Sequence, residues 1–142
     1  MLRLIGLLVV LLSAAEAHAG DAAFRIVVHP SNPLESITRA ELSAIYMKRM
    51  RSWRDGREIV PVDQPASSPV RERFSRAVHG KTVAYVTRYW QRLIFSGRGI
   101  PPRQLQNDAA VLELVKHSRD AIGYVARDTP PGDGVKVLEV VP

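Results

Sequence analysis

Cysteine is absent from the chain, which removes disulfides, thiol nucleophiles and cysteine-ligated zinc together and says nothing against an oxidising compartment. Catalytic signatures are missing too: there is no His-Glu-x-x-His helix, no Gly-x-Ser-x-Gly elbow and no phosphate-binding P-loop. Histidine is sparse, and His29, His79 and His117 fall on separate predicted elements with no spacing that suggests a shared metal. Each reads as a turn or helix-end residue, since a cation suits the carboxyl end of a helix. No cofactor is implied, and with no nucleophile beside a visible base the chain reads as a non-enzyme. After the first residues no apolar run approaches the ~20 residues that a membrane-spanning helix needs.

The amino terminus itself has the three zones of a secretory signal. Met1-Leu2-Arg3 supplies the positive start, Leu4 to Leu12 the apolar stretch, and Ala17-His18-Ala19 a small-x-small cleavage site. The expectation is a signal peptide over residues 1–19, export to the periplasm, and one domain over 20–142, a size that makes a single core. Arg3 and Glu16 cancel within the signal, so the net charge of +6 is carried by the domain, mostly on arginine. A basic surface favours anionic partners, and export makes nucleic acid the least expected of them. Scattered arginines that only keep the domain soluble are the competing reading.

Along the rest of the chain the apolar residues alternate between strand and helix periods, which predicts an α/β domain. Phe24 to His29 is a β-branched strand closed by Pro30 and Pro33. Thr38 and Glu41 form a capping box before Leu42, Ile45 and Tyr46, and the helix should end near Met47. A basic, irregular stretch from Lys48 leads through Trp53 and the Asp55-Gly56 turn to a strand over residues 58–63. Ser68 and Pro69 then suit the N-cap and first position of a helix with Val70, Phe74, Ala77 and Val78 inward, ended by Gly80. A second helix follows Thr82, and Val83, Val86, Trp90, Leu93 and Ile94 should press onto the sheet. Residues 96–102 are loop. Asn107 or Asp108 caps a short helix with Val111, Leu112 and Val115 inward, and strands follow over 121–125 and 135–141. The predicted order is β-α-β-α-α-α-β-β.

The most informative motif is Ser67-Ser68, at a helix start directly after a strand. Unpaired N–H groups and partial positive charge collect there, so two hydroxyls would complete an oxyanion cradle. A plain serine N-cap produces the same pattern, and Pro69 withholds one donor. Arg71 and Arg73 in the first turn, with Arg76 beyond, either add charge to a bound anion or form a solvated face. The run Lys48-Arg49-Met50-Arg51 with Arg54 and Arg57 reads as an anionic docking patch or a charged surface loop. Gly97-Arg98-Gly99 permits backbone approach to an anion but lacks the rest of a nucleotide fingerprint. Trp53, Trp90 and Phe95 are better read as core than as a ligand platform.

The string Thr38-Arg39-Ala40-Glu41-Leu42-Ser43-Ala44-Ile45-Tyr46, then Trp53-Arg54-Asp55-Gly56, the strand over 58–63, and Ala121-Ile122-Gly123-Tyr124-Val125 together resemble the phosphate-type substrate-binding proteins of ABC transporters. These are type II periplasmic binding proteins, and the resemblance runs from about Phe24 to Arg127. It implies one three-layer lobe, a mixed sheet flanked by helices, where the family uses two lobes that close over an anion. Ser68 falls on the family's binding serine, but Pro69 and Val70 stand where glycine and threonine are expected. Asp63 or Gln64 stands near the family's arginine, and a carboxylate there repels a fully ionised phosphate unless it accepts the ligand's proton. The expected ligand site is Ser67 and Ser68, with Arg71 added as a helper on the chain's own logic. The implied role is binding phosphate or another small oxyanion for ABC-type uptake. The alternative is an interaction module that meets an envelope protein, or a copy of itself, through the exposed cleft face.

Overall fold

The computed structural model describes residues 23–142; the expected signal peptide lies outside the described residues. Eleven elements follow in order: β1 (Phe24–Val28), β2 (Ser36–Thr38), α1 (Arg39–Tyr46), β3 (Val60–Asp63), α2 (Pro69–Phe74), a π-helical segment (Ser75–His79), α3 (Val83–Phe95), β4 (Arg103–Gln104), α4 (Asp108–His117), β5 (Ala121–Ala126) and β6 (Lys136–Val141). The strands form one mixed sheet in the order β2-β6-β1-β5-β3-β4. β1 is antiparallel to both β5 and β6, whereas β3 runs parallel to β5 and β4.

The period-2 alternation of the strands divides the core. Phe24, Ile26 and Val28 of β1, with Ile122 and Tyr124 of β5, meet Leu42, Ile45 and Tyr46 of α1 and Val70 and Phe74 of α2. Val27, Val62, Ala121 and Val125 meet Val111 and Val115 of α4. Helices therefore cover both faces, giving the three layers expected. Gly123 lies under α4, where a Cβ would come within 2.5 Å of Val111 Cγ1, so only glycine lets the helix sit this close.

The caps are where the sequence placed them. Thr38 and Glu41 close a reciprocal capping box, Ser68 caps α2 with Pro69 at its first position, and Thr82 and Asn107 cap α3 and α4. Two short strands went unpredicted, β2 and β4, because three and two residues are too few to show a period. Pairing with β6 and β3 creates them.

Three further expectations are corrected. Ala77 is exposed, because Ser75–His79 winds as a π-helical segment whose wider turns rotate the stripe, burying Ser75 and Val78 before Gly80 ends it at φ 63°. α3 does not press its face onto the sheet. Val86 and Trp90 pack instead with Met47 at the end of α1, backed by Tyr89 and Leu93. Ile94 stays 51% exposed and Phe95 91% exposed, so Phe95 is not core, whereas Trp53 and Trp90 are.

His79 ends the π segment with its ring against Phe74 and its Nδ1 2.8 Å from Ser43 Oγ. Burial, then Arg49 and Arg71, lower its pKa from 6.5 to about 4, so a helix-end cation is not its role. Folding favours the neutral ring, so the stability it contributes is present above pH 6.5 and lost as pH falls toward 4. At about 1.4 kcal/mol per unit the loss is on the order of 3 kcal/mol. Urea unfolding across this window should show that loss in the wild type and a clearly shallower decline in His79→Gln.

Candidate functional site

Because β3, β4 and β5 are mutually parallel in the order β5-β3-β4, their carboxyl ends share one edge of the sheet. α2 follows β3 and α4 follows β4, so both helices start at that edge, the usual place for a ligand in an open α/β sheet. An open pocket lies there. Ser67, Ser68, Pro69, Val70 and Arg73 line it around the start of α2, and Gln106, Asn107 and Asp108 around the start of α4. The structure thus adds a second helix start to the one that the sequence singled out.

Ser67 is exposed and Ser68 half-buried. The Ser68 hydroxyl donates to Gln64 Oε1 at 3.1 Å and accepts from the Arg71 N–H at 3.5 Å. Ser68 N–H bonds the Pro65 carbonyl and Glu72 N–H the Ser68 carbonyl. Pro69 carries no N–H, so by position the Val70 N–H is the first-turn donor with no helical carbonyl to meet. The Ser67 hydroxyl and the Val70 N–H are thus the groups at this end left without a helical partner, while the Ser68 hydroxyl is engaged by Gln64.

Gln64 ties the two helix starts together. Its Nε2 donates to Asp108 Oδ1 at 2.7 Å and to the Tyr124 carbonyl at 3.1 Å. The other Asp108 oxygen accepts from Ala126 N–H at 3.1 Å and Thr129 Oγ1 at 2.6 Å. These donors hold the Asp108 carboxylate at the rim, where its charge opposes a second negative group.

Arg71 does not line the opening. It is 5% exposed, with Nη1 donating to the Gln64 carbonyl at 2.9 Å and Nε 3.3 Å from Asp63 Oδ1. Asp63 also accepts from the Gln64 N–H at 2.9 Å and from the Tyr124 hydroxyl. Burial pushes the Asp63 carboxyl above its ordinary pKa, while Arg71, the Tyr124 hydroxyl and the Gln64 N–H pull it back. Burial and the neighbouring Asp63 raise the Tyr124 hydroxyl far above its usual range, which keeps it a donor. Arg73, two residues on, is the cation that reaches the pocket wall. The sequence named Ser67, Ser68 and Arg71; the pocket brings the two serines together with Arg73 in place of Arg71, and with Asn107, Asp108 and Thr129, whose convergence the sequence missed. The signal was the parallel strand β4, two residues long.

No family model matches the chain, and no curated protein matches it. Solved structures do. A protein assigned as a phosphate ABC transporter substrate-binding protein from Clostridium perfringens, with bound phosphate, superposes with a TM-score of 0.66 at 20% identity, over 83% of this chain and 44% of that one. An ABC-type phosphate transport receptor from Vibrio cholerae gives 0.63 at 23% identity, over 84% and 47%. PstS from Borrelia burgdorferi gives 0.58 at 15% identity, over 83% and 47%. The chain spans less than half the length of these proteins, and at such identities the likeness establishes the fold: a mixed α/β sheet matching part of a substrate-binding-protein fold.

Removing one member of the buried pair leaves the other charge without compensation, a loss of about 3–5 kcal/mol. Arg71→Met should lower stability by that order in urea unfolding. Asp63→Asn combined with Arg71→Met should recover part of the loss, the signature of a coupled pair.

Proposed function

We propose that this chain is a substrate-binding-protein-like module that holds a small oxyanion of the phosphate type at Ser67 and Ser68, in the periplasm, for an ABC-type uptake system. The observation that carries this reading is the convergence of two capped helix starts, α2 and α4, on one open pocket at the carboxyl edge of parallel strands. Each brings the positive end of its dipole and first-turn N–H groups to the same place. The same fold in Clostridium perfringens is described with phosphate bound.

Within this reading the residues divide by position. Ser67 and the Val70 N–H face the anion, Ser68 both caps the helix and contributes its hydroxyl, and Arg73 supplies the outer charge. Arg71 acts from behind, fixing the loop carbonyl of Gln64 and balancing Asp63. Asp108 at the rim sets a limit on ligand charge: a protonated oxyanion donates to a carboxylate, whereas a fully ionised one is repelled. The likeness to binding-protein folds and the expected signal peptide support this role and compartment.

Isothermal titration with phosphate and sulfate tests the reading. Phosphate should give saturable heat, and Ser67→Ala should weaken it at least about tenfold, or about 1.4 kcal/mol. Ser68→Ala should weaken it as well and cost about 1 kcal/mol of stability as a lost N-cap. No heat from either anion, or equal heats from wild type and both variants, would remove ligand binding from the account.

A further inference from the structure

At the opposite end of β3 lies a second concavity. A groove of about 610 Å³ runs between the turn after α1 and the loop after α3, with Ile45, Ile59 and Pro61 on its floor and Met50, Ile94 and Ile100 on its walls. Ile94 is 51% and Ile100 76% exposed, although both are large and apolar. Gly99 is folded tightly back, its position for a Cβ 3.2 Å from the Trp90 ring, and this tight turn carries Ile100 to the groove. Two runs that are separate in the sequence, Lys48 to Arg51 and Gly97 to Gly99, become facing walls.

The rim is cationic. Lys48, Arg51 and Arg98 line the groove against a single carboxylate, Glu58. Arg51 Nε donates to the Lys48 carbonyl and Arg98 Nε to Ser96 Oγ, so their hydrogen bonds go to neutral acceptors. Among the described residues no ion pair joins any of the three to a carboxylate. Lys48 carries a second mark. It is the one described residue other than glycine with positive φ, 53°, at the position after the α1 C-cap, where glycine is favoured because it has no Cβ. A lysine held there against its backbone preference points to use of its side chain.

We propose that this groove is a docking site for an acidic, apolar-anchored segment of a partner protein. Its apolar floor takes the anchor side chains, and the three cations pair with carboxylates on either side of them. Addition of a partner strand is closed off, because the Ile59 N–H already bonds the Arg51 carbonyl and Pro61 has none to give. The segment is therefore helical or irregular, and it lies in the groove by its side chains. A second copy of this chain is disfavoured, since a two-fold contact would set the same cations against each other. A lipid surface is disfavoured by the recessed floor, where Ile45 is fully buried and Ile59 5% exposed.

Panning a phage-displayed library of random peptides against the purified chain tests the proposal without a known partner. The enriched peptides should be net negative with apolar residues at helical spacing. Ile100→Glu and Arg98→Glu should each weaken the selected peptides at least about tenfold. Lys48→Gly should weaken them while raising the melting temperature, a combination that a purely structural lysine would not give. Phosphate titration of these variants should match wild type, so this test and that of the anion site fail separately. Neutral or basic selected peptides, no enrichment over the bare support, or equal binding by the variants would overturn the proposal. So would co-sedimentation with phosphatidylglycerol vesicles that the same variants abolish when no acidic peptide is selected.

Discussion

Where β3 gives way to the loop that begins α2, a carboxylate and a guanidinium meet with almost no water around them. Asp63 is 7% and Arg71 5% exposed, and neither charge is tolerable there without the other. Their pairing does more than offset desolvation. Arg71 belongs to the first turn of α2 and also holds the Gln64 carbonyl, while Asp63 takes the Gln64 N–H and the Tyr124 hydroxyl. The loop between strand and helix is thereby fixed at both ends, and with it the direction in which the helix start faces. Phe74, further along α2, stacks on the Tyr124 ring at 4.0 Å, so α2 is also tied through the core to β5, the strand beside β3. Each tie makes the others easier to keep, because an ordered loop has already lost its entropy.

From this constraint the two ends of β3 acquire different characters. At the carboxyl end, two helix starts and a network centred on Gln64 leave an open pocket that sets Arg73 against Asp108, the site proposed for a small anion. At the amino end, the chain arrives from a basic turn and leaves an apolar groove with cations along its rim. The groove rim carries three cations against one carboxylate, whereas the pocket sets one cation against one carboxylate. α3, which stays off the sheet, is what allows the groove to exist: its packing against Met47 holds the loop after it across from the turn after α1.

Much of this was legible in the sequence because the signals are local. Thr38 with Glu41, Ser68 with Pro69, and Asn107 before Asp108 announce helix starts by hydrogen bonds that span only a few residues. The β-branched runs of β1, β5 and β6 announce strands through alternation. Other features were not legible, for reasons of reach. The inward turn of Arg71 depends on Asp63, which precedes the loop at the end of β3 but lies close across it, and an arginine in a first turn looks the same whether it faces in or out. β4 exists only through its partner β3. The rotation that exposes Ala77 comes from a π segment, and the position of α3 off the sheet is a tertiary preference for Met47 over strand side chains that an amphipathic stripe does not encode. The site was half visible for the same reason: one helix start follows from local spacing, whereas its meeting with the second follows from strand order.

The central claim is that the amino end of α2, held outward by the buried pair, is the seat of an anion. Backbone amide shifts in a ¹⁵N-labelled sample, followed as phosphate is added, address it residue by residue. The account predicts saturable shifts concentrated at Ser67, Ser68, Val70 and Arg71, with smaller ones at Asp108 and Ala109. Shifts that are absent, or that gather elsewhere on the surface, would contradict it.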